Sequence, residues 1–130
     1  MTAAHQFLGF LAVAATIALL AVAGWSAIAV RRDGGGAAHR FAVDRLVLLV
    51  VGALASNGLL GLVVVGLGSR PADVLHLIYG PAALITLPVG VWLGRRPGAG
   101  GMTSPLRREA WLLGAAVVLL GIEVRLFMTG

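Results

Sequence analysis

The chain has no cysteine and no lysine. Without cysteine it can form no disulfide, no thiolate-bound zinc site and no iron–sulfur cluster, and cysteine usage says nothing of the redox compartment. Charge is also scarce. Only 12% of residues are charged, against about 25% in ordinary soluble domains. Catalytic constellations are missing too: no nucleophile, base and orienting acid converge, which excludes a hydrolase. The glycine runs Gly34–Gly36 and Gly98–Gly101 lack the strand and helix context of a phosphate-binding loop. They read as flexible linkers.

What remains is apolar. Of 130 residues 59% are hydrophobic, and the mean hydropathy is +0.99. A single soluble domain of this length is common, but not with so little charge. The composition indicates an integral membrane protein. A spanning helix needs about 20 mostly apolar residues, and four stretches supply them: 7–30, 46–67, 72–93 and 110–128. In lipid such runs are helical, because an open strand would leave backbone groups unpaired. The expected fold is all-α, an antiparallel up-down four-helix bundle in one transmembrane domain. Loops 31–45 and 94–109 connect the spans, with a tight "GSRP" turn at 68–71, where Ser69 caps the third helix and Pro71 suits its first turn.

Arginine position sets orientation. All ten basic residues are arginine, and eight lie at one end: Arg31, Arg32, Arg40, Arg45, Arg95, Arg96, Arg107 and Arg108. Arg70 and Arg125 lie at the other. Both long loops are therefore expected in the cytoplasm and both termini outside. Trp25, Trp92 and Trp111 all fall at the arginine-rich end, where an interfacial aromatic belt belongs. The net charge of +5 is thus read as topology, and no nucleic-acid partner is expected. The arginines suit anionic lipid headgroups. Ala21-Val22-Ala23 resembles a signal-peptide cleavage site, but no basic residue precedes the apolar run, so the first span is read as a retained helix. Arginine without lysine, with abundant Ala, Gly, Val and Leu, points to a GC-rich bacterial genome and hence to the inner membrane.

Two stretches carry a histidine four residues before a glycine. "HQFLGFLA" opens the first span and "HLIYGPAA" the third, at an offset of 71. Each half continues as an inward helix, a basic loop and an outward helix, so the chain reads as two pseudo-repeated hairpins. His5 and His76 then lie on parallel helices near the outer face. Counted from Trp25 and Trp92, they stand about 30 Å and about 24 Å above the inner interface. Neutral imidazoles from facing helices can ligate a haem iron from both sides. Gly9 and Gly80 follow one turn deeper on the same faces and leave room for a flat macrocycle. Arg70 and Arg125 are placed to pair with propionates. The plainer reading makes both histidines solvated interfacial residues and both glycines helix-packing positions. His39, beside Arg40, reads as solvent-exposed.

Other polar residues fall within the spans. Glu123 lies roughly 18 Å into the membrane from Trp111, where a charge costs up to about 2.5–3.5 kcal/mol. Arg125 faces elsewhere on its helix, so Arg70 or His76 is the expected partner, and a carboxylate there would orient a ligating imidazole. Asp73 shares a face with His76 and also reads as a first-turn acid favoured by the helix dipole. Asn57 is expected to hydrogen-bond across helices. Pro81 and Pro88 are expected to bend the third helix and free backbone carbonyls.

The run "LLVVGALASNGLLGLVVVGLGSRPADVLHLIYGPAAL", roughly residues 46–84, resembles part of haem A synthase. The resemblance implies a leucine- and glycine-rich helix, a short outer turn, and a helix whose outer end carries a haem-ligating histidine, here His76, with His5 as partner. The chain departs from that family in having a single four-helix unit, no cysteine pair and no acidic residue in the outer turn, so the synthase activity does not carry over. The expectation is a small b-type cytochrome or a haem-binding, electron-transfer subunit of a larger membrane complex or homo-oligomer. Two other readings stand beside it. One is a structural or assembly subunit, which predicts no internal cavity. The other is a small transporter or channel.

Overall fold

The computed structural model describes residues 3–33, 37–68, 75–96 and 104–129. Four helices account for nearly all of them: α1 (Ala3–Asp33), α2 (Ala37–Gly66), α3 (Leu75–Arg95) and α4 (Ser104–Thr129). All four are long and apolar enough to cross a membrane. The chain is an all-α multi-pass membrane bundle.

Helix bounds exceed the expected spans. Residues 31–33 continue α1, and α2 begins at Ala37, so most of the expected 31–45 loop is helical. Likewise α4 begins at Ser104, inside the expected 94–109 loop. The physical reason is that hydropathy marks only the part of a helix in hydrocarbon. Arginine, alanine and histidine are helix-compatible, so each helix runs on into the interface.

Packing follows the expected two hairpins. α3 packs most closely on α4, α1 packs on both α2 and α4, and α2 touches α3 only sparsely. Round the bundle the order is α2, α1, α4, α3, so α1 and α3 face each other diagonally. The outer surface is apolar nearly everywhere. Leu48, Leu59, Leu62, Val117 and Met128 are all exposed, which in water would be a patch far beyond that of a soluble monomer but in lipid is the expected coat.

Close approach of α3 to α4 depends on two glycines four residues apart. A Cβ at Gly90 would collide with the Ala115 Cβ and lie 3.2 Å from the Trp111 carbonyl oxygen. At Gly94 it would stand 2.9 Å from the Arg108 Cα. This is small-residue packing between membrane helices, which lets two backbones approach.

The bundle interior has two halves. The dry core occupies the middle and the arginine-rich end, built from Leu19, Ala23, Val43, Val50, Leu87, Leu112, Ala116 and Leu119, all buried. The opposite half encloses a cavity.

Candidate functional site

The cavity has a volume of about 490 Å³ and is lined by all four helices. That lies within the range of about 300–1,000 Å³ typical of ligand and cofactor sites. From α1 come Gln6, Gly9 and Ala12; from α3, Leu77, Gly80, Pro81, Ala83 and Leu84. α2 presents Leu54 through Val65 on one face, with Asn57, Gly58 and Gly61 among them. α4 closes it with Glu123, Leu126 and Phe127. The wall is apolar apart from Gln6, Asn57 and Glu123.

Gly9 and Gly80, singled out by their spacing from the histidines, both line it. They do so differently. A Cβ at Gly9 would lie 3.3 Å from the Phe127 ring, whereas one at Gly80 would meet nothing within 4 Å. Gly9 thus admits Phe127, which also stacks at 4.7 Å on Phe10. Gly80 leaves open space.

His5 lies in the first turn of α1 and His76 in the first turn of α3. Their side chains fall outside the described residues, as do Arg70 and Asp73. Backbone register still fixes their heights. Gly24 faces Leu113 of α4, and Gly90 faces Trp111 and Ala115. Gly24 and Gly90 therefore stand at one level, at an offset of 66. The offset of 71 that aligns the histidines is not the structural one. His5 stands five residues further out than His76 on this register, about 7 Å along the axis. The tryptophan-based heights imply nearly the same stagger.

Glu123 lines the cavity at its end nearer the arginine-rich side and is only 3% exposed. Among the described residues its hydrogen-bond partner is Thr16. Thr16 Oγ1 lies 3.1 Å from Glu123 Oε1 and 3.0 Å from the Ala12 carbonyl oxygen. A hydroxyl has one proton to give. With Glu123 ionised, Thr16 donates to the carboxylate. With Glu123 protonated, the acid can donate to Thr16 and Thr16 to Ala12. The other carboxyl oxygen, Oε2, is buried and has no partner among the described residues, and the same holds for Asn57 Oδ1. Arg125 is on the exposed side of α4 and away from the cavity wall.

A second polar cluster sits at the arginine-rich end. Glu109 is 1% exposed and accepts a bond from Arg108 Nη1 at 3.2 Å. Arg108 also pairs with Asp44, tying α4 to α2. The buried Ser26 hydroxyl neighbours Glu109, and Ser26 Oγ and Glu109 Oε2 both lack a hydrogen-bond partner. Between Glu109 and Glu123 the α1–α4 seam is Leu19, Ala23, Leu112, Ala116 and Leu119. No polar route joins the two acids through the described residues of that seam.

Sequence reasoning found Glu123 and Asn57 but missed Thr16, Gln6 and Glu109. Thr16 is the sole hydroxyl residue in the apolar run between Gln6 and Ser26, which was the available signal. Glu109 stands one residue before the expected fourth span, where hydropathy reads as loop. No protein-family model, characterised protein or solved structure matches this chain.

Proposed function

We propose that this protein is a small haem b-binding, electron-transfer subunit of the bacterial inner membrane, with both termini extracytoplasmic. One observation carries the reading. The cavity is flanked on its diagonal by Gly9 of α1 and Gly80 of α3, and each glycine follows a histidine by four residues. The histidines thus belong to the helix stripes that front the cavity, one turn nearer its outer end. A structural subunit would need no such cavity, so its presence favours the cofactor reading.

The chain fits haem b in three respects. The wall is apolar, as a macrocycle requires. Gly58 and Gly80 would meet nothing within 4 Å if given a Cβ, so the adjacent helices α2 and α3 leave space for a flat ring. His5 and His76, in the first turns of α1 and α3, are within about 7 Å of one another in height. His5 and His76 would ligate the iron and Arg70 would meet a propionate, whereas Arg125, expected to do the same, lies on the exposed side of α4 away from the cavity. Haem bound there supplies one-electron transfer. The chain's own contribution is to orient the ring between α1 and α3 and to exclude water below it with the Leu19–Leu119 core.

The test is an optical spectrum of detergent-purified protein expressed with ample haem, oxidised and then reduced with dithionite. The expected result is a Soret band with sharp reduced α and β bands, lost in His76→Ala. Gly80→Leu, which fills the open wall, is expected to lose them while keeping its helical circular dichroism. A wild-type protein with no such bands would sink the reading.

A further inference from the structure

The unpartnered acceptors of the cavity call for a donor. Buried polar groups in native proteins are bonded as a rule, yet Glu123 Oε2 and Asn57 Oδ1 are buried, line the cavity and have no partner among the described residues. A third acceptor joins them. Pro81 has no N–H, so the Leu77 carbonyl has no donor four residues on. These three groups come from α4, α2 and α3.

Access to them is from the side. α2 and α3 are the most sparsely packed neighbours in the bundle. Leu59, Leu62, Leu77 and Leu84 line the cavity and are also exposed at this seam. In a membrane they face hydrocarbon, so a ligand arriving here comes from the lipid. The same seam carries Gly58 and Gly80, each with open space where a side chain would stand. That is a slot for a flat ring.

We infer that the cavity binds a lipid-soluble hydroquinone, with its hydroxyl groups on Glu123 and Asn57 and its apolar tail leaving between α2 and α3. The spacing suits a ring with a donor at each end. Asn57 is level with Gly9 and Phe127, and Glu123 is one turn further in, about 5.4 Å along the axis. α2 and α4 are also diagonal in the bundle, so the two acceptors stand apart both along and across the cavity, as donors at opposite ends of one ring require. A long-chain ammonium also donates, but it gathers its donors at one point, whereas these acceptors are spread over three helices. The inference rests on the cavity and its acceptors rather than on the histidines, and because the ring and a macrocycle would fill the same slot beside Gly80 it is tested on haem-free protein.

Anaerobic calorimetric titration of the full-length purified protein with decylhydroquinone tests it, with haem content read from the optical spectrum of the same sample. Saturable binding is expected. Glu123→Leu and Asn57→Leu should each weaken it by about tenfold or more. Gly58→Leu keeps both acceptors, has space for its side chain and should abolish binding by filling the slot. Oxidised decylquinone, which has no O–H, should bind wild type about tenfold more weakly. Equal affinity of wild type and all three variants overturns the inference. So does equal affinity for reduced and oxidised rings, or binding of dodecylamine without binding of hydroquinone. Absence of hydroquinone binding to haem-free protein overturns this inference alone, and hydroquinone binding in a sample shown to take up no haem overturns the haem reading alone.

Discussion

Glu123 and Glu109 are two buried acids in one helix, held in different ways. Glu123 relies on a neutral donor from α1, and Thr16→Val removes that donor while preserving shape. The acid is then left with no partner among the described residues, a loss of about 1–3 kcal/mol. Glu123→Leu removes the buried polar group altogether, and replacement of such groups by apolar ones is often neutral or stabilising. Thermal unfolding in detergent should therefore show Thr16→Val lowered and Glu123→Leu at or above wild type. Equal lowering in both would mean the carboxyl itself stabilises the bundle. At the other end, the Asp44 side chain is 57% exposed while that of Glu109 is 1% exposed. An exposed pair contributes about 0–1 kcal/mol, so Asp44→Ala should scarcely alter stability. Arg108→Ala strips Glu109 of its donor and should cost more, about 1–3 kcal/mol by the same melt.

At the scale of the helix, glycines divide into those that are filled by a neighbour and those that face space. Gly90 is of the first kind, since its missing side chain is replaced by the backbone of α4. Gly90→Val forces α3 and α4 apart, at about 1–3 kcal/mol or more, and should lower the melting temperature and loosen the α3–α4 hairpin to proteolysis. Gly114 meets nothing within 4 Å, so Gly114→Val serves as the control and should melt close to wild type. This distinction marks the limit of what was legible beforehand. The four spans were legible because each is a continuous apolar run, and lipid permits only helix there. Glu123 and Asn57 stood out as rare polar residues inside such runs. But in these helices almost every position is apolar, so periodicity carries no facing information. Nothing in the sequence distinguished Gly90, pressed on α4, from Gly114 or Gly58, which face open space. The histidine alignment likewise suggested an offset of 71, while packing of Gly24 and Gly90 on one level of α4 fixes 66. Local identity in a leucine- and glycine-rich chain is a weaker guide to register than the contacts two helices make with a common neighbour.

At the scale of the whole molecule, the charge distribution makes a prediction about direction. The arginine-rich end carries Arg31, Arg32, Arg40, Arg45, Arg95, Arg96, Arg107 and Arg108. Two of them cover interfacial rings: Arg96 lies 3.5 Å over Trp92 and Arg45 lies 4.8 Å over Phe41. Such cation–π contacts anchor a guanidinium at the headgroup level, so this end is matched to an anionic leaflet as well as to the positive-inside rule. The chain has no cysteine, so single cysteines report topology without background. In intact spheroplasts, Thr2→Cys should react with a membrane-impermeant maleimide and Gly98→Cys should react only after lysis. Replacing Arg31, Arg32, Arg40 and Arg45 with glutamine removes half of the inner charge, and orientation depends on that bias. The variant should show a mixed population in which Gly98→Cys becomes partly reactive before lysis. If it stays fully protected, the remaining four arginines of the α3–α4 hairpin suffice to orient the chain. If Gly98→Cys reacts from outside in the unaltered background, the bundle is inverted. The cavity end lined by Gln6 and Leu77 would then lie nearer the cytoplasm, and an electron-transfer partner would have to be sought on that side.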